Sequence, residues 1–157
     1  MKNIITPAEA VALAFGAGEY MPPEAVSEAD IAAAAHRYIE PVTGAALASA
    51  LAAGEYPALR DDYAAPALAL GVRLLVQPSL DIRTGCAGSV VQRSATAEPA
   101  SSEARASALR SVRCRMRELL RRLGRHLDER AADYPEYDSD ANILNRCTTD
   151  GGFVQIF

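Results

Sequence analysis

The sequence predicts an all-α fold, a bundle of about five to six helices, and three observations support this. Half of the 157 residues are apolar, which is enough for the core of one domain. Alanine supplies much of that half and aromatic residues only 6%, which favours closely packed helices over a core of large rings. In the longer segments, apolar residues recur at the three- and four-residue steps of a helix face.

The first two helices are marked by capping residues. Thr6-Pro7-Ala8-Glu9 is a capping box with proline in the first helical turn, so a helix should run from there to about Phe15. Ser27, with Asp30 three residues later, opens a second helix that we expect to stop before Pro41.

Glycine and proline divide the next stretch. Thr43 can cap a third helix that ends before Gly54, and Tyr56-Pro57 then starts a fourth. Because an interior proline removes an amide hydrogen bond and clashes with the preceding turn, we expect a break near Ala65. A new helix should follow over 66–77.

The pattern changes between residues 85 and 102, where glycine and serine predict a projecting loop with a short strand at Ser89–Gln92. Ser101 or Ser102 then caps a long helix, which ends before Tyr134-Pro135.

This long helix combines an apolar stripe with arginines on either side of it. The stripe is formed at helical spacing by Leu109, Val112, Met116, Leu119, Leu120, Leu123 and Leu127. One flank carries Arg110, Arg113, Arg117 and Arg121, and the other carries Arg115 and Arg122. Four-residue spacing predicts the ion pairs Glu118–Arg122 and Arg125–Glu129. Three arginines lack such a partner on the helix: Arg110, Arg113 and Arg117.

Charge is segregated along the chain. The net charge of −4 argues against a general nucleic-acid binder. However, residues 103–130 carry nine arginines and four acids, whereas residues 1–70 carry nine acids and three bases, and residues 131–157 carry five acids and one base. The acidic front, residues 1–70, and the acidic tail can form ion pairs with the basic helix, either within one molecule or between neighbouring copies.

No pattern of catalytic or metal-ligating residues is found. Neither His36 nor His126 has a nearby arrangement of Cys, His or carboxylate residues typical of a metal site or a nucleophile triad, and we interpret both as helix-face residues. The three cysteines are odd in number and widely spaced, which indicates a reduced, intracellular setting. We therefore predict a non-enzymatic protein without cofactor or metal. An enzyme working through His36 or Cys114 would need an organised pocket around one of them.

The end of the sequence alternates apolar and polar residues like a strand. Its apolar members, predicted to dock on the same domain or on a neighbour, are Phe153, Val154, Ile156 and Phe157. We accordingly divide the chain into a helical domain, residues 1–137, and a C-terminal tail, residues 138–157. No uncharged run approaches the length of a membrane helix, so no membrane association is expected.

The order of features resembles a family of tailed-phage proteins. Ile5-Thr6-Pro7-Ala8-Glu9-Ala10 opens a short helix, and Ser27-Glu28-Ala29-Asp30-Ile31 leads into a helix that ends Tyr38-Ile39-Glu40. This is similar to the N-terminal half of head–tail connector (adaptor, or head completion) proteins. Tyr134-Pro135-Glu136-Tyr137 after a long charged helix resembles uncharacterised virion proteins of phages and prophages of Bacteroides-like bacteria. The resemblance spans most of residues 4–137.

The resemblance implies a small helical subunit that forms a homo-oligomeric ring joining the portal and capsid to the tail. It also implies that portal and tail-completion proteins are partners, and that DNA passing through the ring is a possible non-specific contact. The protein would then reside in the host bacterial cytoplasm during assembly and afterwards in the virion. No catalytic residue comes with the resemblance.

Three interpretations of the arginine flank remain. It is either a solvated helix face whose arginine stems cover apolar surface, a contact with an acidic neighbouring subunit, or a contact with nucleic acid. Because base-reading aromatics and nucleic-acid motifs are missing, the subunit contact ranks above DNA. The runner-up function is a small helical nucleic-acid-binding or regulatory protein that uses this flank.

Overall fold

The protein is an all-α bundle, as predicted. A computed structural model describes residues 2–146 apart from positions 17, 18, 20, 82, 86, 87 and 91–99. The helices in this part of the chain are α1 Pro7–Ala14, α2 Glu28–Ala34, α3 Glu40–Thr43, α4 Ala45–Ala53, α5 Pro57–Leu59, α6 Ala65–Asp81 and α7 Ser102–Glu129. Two π turns, Ala35–Ile39 and Arg60–Ala64, join α2 to α3 and α5 to α6. The result is five continuous helical rods among the described residues.

Three of the predicted helix starts are confirmed. The Thr6 hydroxyl accepts a hydrogen bond from the Glu9 amide, and the Glu9 carboxylate accepts one from the Thr6 amide, at 3.3 and 2.7 Å. Ser27 and Asp30 form the same reciprocal box at the start of α2. Ser101 caps α7 by accepting from the amide of Ala104.

Three predicted helix limits at proline are wrong. Pro78 lies inside α6, which continues to Asp81 beyond the predicted end at residue 77. Pro41 and Pro66 lie inside continuous rods, each two residues after a π turn. Immediately before each proline, an amide reaches back five residues instead of four: Glu40 donates to the Ala35 carbonyl, and Ala65 donates to that of Arg60. The π turn widens the helix where the proline ring would otherwise clash with the preceding turn, so the rod continues.

The predicted cap at Thr43 is also wrong. Its hydroxyl donates to the Ile39 carbonyl at 3.1 Å, which places Thr43 in the last turn of α3. Gly44 separates α3 from α4; its φ of 80° lies in the region that favours glycine, and α4 begins immediately afterwards. Gly54 ends α4 in a left-handed conformation, as expected.

Helix α6 lies at the centre of the bundle and packs against α1, α2 and α7. Its residues are apolar on nearly every side, as expected for an enclosed helix. The residues buried along it and its preceding turn are Ala64, Ala65, Ala67, Leu68, Ala69, Leu70, Val72, Leu74 and Val76.

The predicted apolar stripe of α7 faces this centre. Its buried members are Val112, Met116, Leu120, Leu123 and Leu127, while Leu109 and Leu119 are half-buried beside them. The flanking arginines therefore point away from the core along the whole helix.

A short antiparallel pair, β1 Arg83–Gly85 and β2 Gly88–Val90, follows α6. The predicted strand at Ser89–Gln92 overlaps β2 in its first two residues, and the remainder of it lies outside the described residues. Most of the predicted projecting loop over 85–102 also lies outside them.

The chain after α7 returns to the bundle. A 3₁₀ turn, Ala131–Asp133, leads to Tyr134 and Tyr137, both buried. Asn142 is 1% exposed, so residues 138–146, assigned above to the tail, pack on the helical body. The predicted docking residues Phe153, Val154, Ile156 and Phe157 lie outside the described residues.

Candidate functional site

A groove of about 450 Å³ runs between α7, the rod that contains α3, and the returning tail. We call it the basic groove. Its lining residues are Arg37, Tyr38, Pro41, Val42, Arg113, Met116, Arg117, Leu120, Arg121, Ile143 and Leu144. Three of the four arginines of the predicted flank are therefore brought together here. The fourth, Arg110, is exposed on α7 but does not line the groove.

The wall opposite α7 comes from the π turn at Ala35–Ile39, which carries Arg37 and Tyr38. The Arg37 guanidinium lies 5.5 Å from the centre of the Tyr38 ring. Tyr38 in turn packs on the backbone of Gly71 in α6, where a Cβ atom would come within 2.7 Å of the tyrosine Cδ2. Only glycine allows the ring to lie this close to α6.

The third wall is the returning tail. The amide of Ile143 donates to the Pro41 carbonyl at 2.9 Å, and this bond ties the tail to α3. Buried Asn142 donates to the Tyr137 hydroxyl at 2.8 Å and accepts from the Leu144 amide at 3.0 Å. Gly124 of α7 lies beneath, where a Cβ would be 3.2 Å from Leu144 Cδ1. The backbone of α7 therefore leaves room for the tail.

The Asp128 carboxylate anchors the described part of this tail near its first and last residues. It accepts hydrogen bonds from Tyr137 at 2.6 Å, from Ser139 at 2.8 Å and from the Asn145 amide group at 2.9 Å. Burial raises the pKa of Asp128, but these three hydrogen bonds outweigh that effect, so the pKa is lowered overall. The carboxylate therefore stays charged at neutral pH and holds the tail in place.

The groove lining is cationic over an apolar floor. It contains four arginines and no acidic residue. Among the described residues, Arg37, Arg113 and Arg117 form no ion pair, and Arg121 lies 3.6 Å from Glu118. The predicted pairs on α7 are wrong, because Glu118 contacts Arg121 and Arg125 instead of Arg122. Arg122 lies over the ring of Tyr63 at 5.1 Å.

The acidic front of the molecule is partly neutralised by its own arginines. Arg60 contacts Glu9 at 2.6 Å, and Arg73 contacts both carboxylate oxygens of Glu19. The hydrogen bond from Arg60 is the main cause of a lowered Glu9 pKa, and that from Arg73 is the main cause of a lowered Glu19 pKa. Among the described residues, no carboxylate of residues 1–70 forms an ion pair with α7.

The other candidate residues lie away from the groove. His36 contacts Glu40 at 2.7 Å and its side chain is 82% exposed. His126 is half-buried and stacks on Tyr63 with ring centres 4.2 Å apart. Cys114 is exposed on α7. None of the three lines the groove.

The described residues contain no group of three or more His, Cys, Asp and Glu side chains placed to hold a metal ion. In the same part of the chain, no helix combines the length and the apolar character of a membrane span.

The composition of the basic groove determines what it can bind. Guanidinium groups donate to carboxylates, phosphates and backbone carbonyls. Met116, Leu120 and Val42 form the floor but are already buried, so the apolar side chains of the lining that a partner can reach include Ile143, which is 38% exposed, and half-buried Leu144. Desolvated apolar contacts ringed by arginines are typical of the centre of a protein–protein interface. The sequence indicated one wall of this site. Arg37, Tyr38, Ile143 and Leu144 were missed because they belong to other elements.

Comparison with known proteins gives a match to a protein family. The model of a family described as a family of unknown function (DUF6712) matches residues 26–146, which include every residue of the basic groove. No curated protein and no solved structure matches the chain.

Proposed function

The chain belongs to the DUF6712 family of unknown function, and from this premise we propose that it is a non-enzymatic structural subunit of a phage or prophage virion. In this proposal it is a head–tail connector that assembles into a homo-oligomeric ring between the portal and the tail. The sequence resemblance over residues 4–137 supports the connector assignment, and the basic groove supports the assembly role.

One observation carries the proposal. The basic groove combines four arginines and an apolar floor without a carboxylate in its lining. A partner that supplied carboxylates to the guanidinium groups and an apolar side chain to Ile143, which is 38% exposed, would gain binding free energy from both contacts. In a ring, each subunit offers such a surface to the next, so one groove in each copy is enough to link all of them.

Electron microscopy and light scattering of the purified chain test the proposal, alone and with the portal ring encoded in the same genome. We expect closed rings of the chain, or rings formed on the portal. Because arginines contribute to the contact, assembly should weaken as salt rises from about 100 mM to about 500 mM. A chain that stays monomeric at high concentration and does not bind the portal would refute it.

A second candidate function, nucleic-acid binding, is favoured by one observation. Arg110, Arg113 and Arg117 follow one flank of α7 and form no ion pair with any described residue. If three or four of the arginines contact phosphates, affinity for duplex DNA should fall by about 100-fold between about 50 and 200 mM salt. Changing these three residues to alanine should reduce both the affinity and the salt dependence. No binding at low salt would eliminate this function.

A further inference from the structure

The basic groove gathers four guanidinium groups around one cavity. Its lining contains no acidic side chain, and its arginines, all exposed to solvent, are Arg37, Arg113, Arg117 and Arg121. One of them, Arg121, also contacts Glu118 at 3.6 Å. Four positive charges therefore lie along a recess of about 450 Å³.

These arginines come from two walls of the groove. Arg113, Arg117 and Arg121 lie on successive turns of α7, about 6 Å apart along the helix axis. Arg37 lies on the facing wall, in the π turn Ala35–Ile39, next to Tyr38, whose ring packs on the backbone of α6. A ligand in the groove can therefore meet guanidinium groups from both sides.

We propose that the basic groove binds a small ligand that carries two or more adjacent phosphate groups. Inorganic tripolyphosphate and nucleoside triphosphates contain this chemistry. The inference goes beyond the proposed function, because it concerns a ligand of the single subunit and does not require assembly.

The charge and the hydrogen-bond donors of the groove favour a phosphate chain. Each guanidinium presents five N–H donors, so the four arginines present about 20 donors in this small volume. A phosphate monoester offers three strong acceptor oxygens and a charge of about −1.5 to −2 at pH 7, whereas a carboxylate side chain offers two oxygens and one charge. Guanidinium groups bind phosphate oxygens in bidentate pairs. A chain of phosphates can therefore accept from both walls at once, where several carboxylates would be needed.

The size and shape of the groove favour a small ligand over a nucleic acid. Its volume lies within the range of about 300–1,000 Å³ that is usual for small-molecule sites. A nucleic-acid strand that followed the flank of α7 would contact Arg110, which is exposed outside the groove, as well as Arg113 and Arg117. A ligand held in the groove would contact Arg37 on the facing wall instead. Arg37 and Arg110 therefore distinguish the two kinds of ligand.

Isothermal titration calorimetry of the full chain with inorganic tripolyphosphate tests the inference, in about 150 mM sodium chloride to screen non-specific attraction. The matched single variants are Arg37→Gln, in the groove, and Arg110→Gln, outside it. Each removes one exposed arginine, so the two variants have the same net charge. Circular dichroism establishes that each variant is folded.

A pair of double variants gives a larger perturbation. The groove variant combines Arg113→Glu with Arg117→Glu. Arg105→Glu with Arg130→Glu is its matched control, because it produces the same change of charge on and beside α7 outside the groove.

Wild type, Arg110→Gln and the double control should bind tripolyphosphate saturably, with affinities within about threefold of one another. Arg37→Gln should bind it about tenfold more weakly, and the groove variant more than tenfold more weakly. Orthophosphate should bind wild type at least about tenfold more weakly than tripolyphosphate, because one phosphate does not reach both walls. The inference is overturned by the absence of saturable binding to wild type, by equal losses in Arg37→Gln and Arg110→Gln, or by orthophosphate that binds as tightly as tripolyphosphate.

Two further measurements separate this inference from the other functions. If a DNA single strand of about 15 nucleotides binds wild type and tripolyphosphate does not displace it, the groove is not the phosphate site and the inference fails in favour of nucleic acid. Sedimentation velocity reports on assembly independently of calorimetry. A chain that binds tripolyphosphate in the groove but does not assemble supports the inference and removes the proposed function. A chain that assembles but does not bind tripolyphosphate does the reverse.

Discussion

Gly71→Ala tests the packing that supports one wall of the basic groove. Gly71 is buried in the middle of α6, where a new Cβ would come within 2.7 Å of Tyr38 Cδ2 and 3.3 Å of Cε2. These are atoms of a rigid ring, so Tyr38 or the rod that carries it must shift. Helix propensity alone would make the alanine variant more stable by about 1 kcal/mol. Overpacking costs about 1–3 kcal/mol, so the net effect should be a destabilisation of up to about 2 kcal/mol.

Thermal unfolding measures this effect. For a chain of this length, each kcal/mol lowers the melting temperature by about 2–4 °C. Gly124→Ala is the matched control, since it is also a buried helix glycine but its new Cβ would meet side-chain ends, Leu144 Cδ1 at 3.2 Å and Asn142 Nδ2 at 3.3 Å. These ends can adjust more easily than a ring, so a change within about 1 kcal/mol is expected there.

A double-mutant cycle with Tyr38→Ala assigns the cause. Removing the ring should make the alanine at position 71 neutral or stabilising, because the atoms it meets are gone. The reasoning is refuted if Gly71→Ala is more stable than wild type while Tyr38 is present. It is also refuted if the cost at position 71 persists after Tyr38 is removed.

Three further predictions concern the core and the charged anchors. Leu123→Ala, at a fully buried position of α7, should lower the free energy of unfolding by about 2–5 kcal/mol in chemical denaturation. Cys114→Ala, on the exposed face of α7, should change this free energy by less than about 0.5 kcal/mol. Asp128→Asn should lower the melting temperature at neutral pH. The folded-state pKa of Asp128 is lowered from 3.8, so wild type loses the stabilisation by the Asp128 carboxylate as the pH falls below that value. The melting temperatures of wild type and Asp128→Asn should therefore converge at low pH. Glu9→Gln weakens the capping box and the contact with Arg60. The resulting loss of stability should be present above pH 4.5 and should shrink as the pH falls through the lowered pKa of Glu9. A loss of stability that does not depend on pH would contradict this.

The sequence predicted those features of the fold that depend on neighbouring residues. The capping boxes at Thr6 and Ser27 need only residues three positions apart, and the α7 stripe is a periodic pattern within one helix. The π turns before Pro41 and Pro66 were missed because a proline in a helical pattern normally signals a break, and the five-residue hydrogen bonds that accommodate it leave no comparable mark in the sequence.

The candidate site was only partly predictable for the same reason. Spacing placed Arg113, Arg117 and Arg121 on one flank of α7. No pattern in the sequence indicated that Arg37 would face this flank, because its position depends on a π turn and on the contact of Tyr38 with α6. The tail wall depends on Asp128 and on space above Gly124. Such contacts between distant segments are set by packing rather than by local pattern.

On α7, contacts with other parts of the fold replace an ion pair that residue spacing alone predicts. Glu118 was expected to pair with Arg122 at four residues. In the structure, Arg122 lies over the ring of Tyr63, and Glu118 contacts Arg121 and Arg125 instead. A ring contributed by the α5–α6 rod thus replaced a pair that spacing alone favours.

Whether the basic groove is an assembly surface can be measured directly. Sedimentation velocity over a range of protein concentration measures this for wild type, for Arg113→Glu with Arg117→Glu, and for the control Arg105→Glu with Arg130→Glu. We expect concentration-dependent assembly of wild type and control, and a folded monomer for the groove variant, Arg113→Glu with Arg117→Glu. A groove variant that assembles with the same concentration dependence as wild type would contradict it.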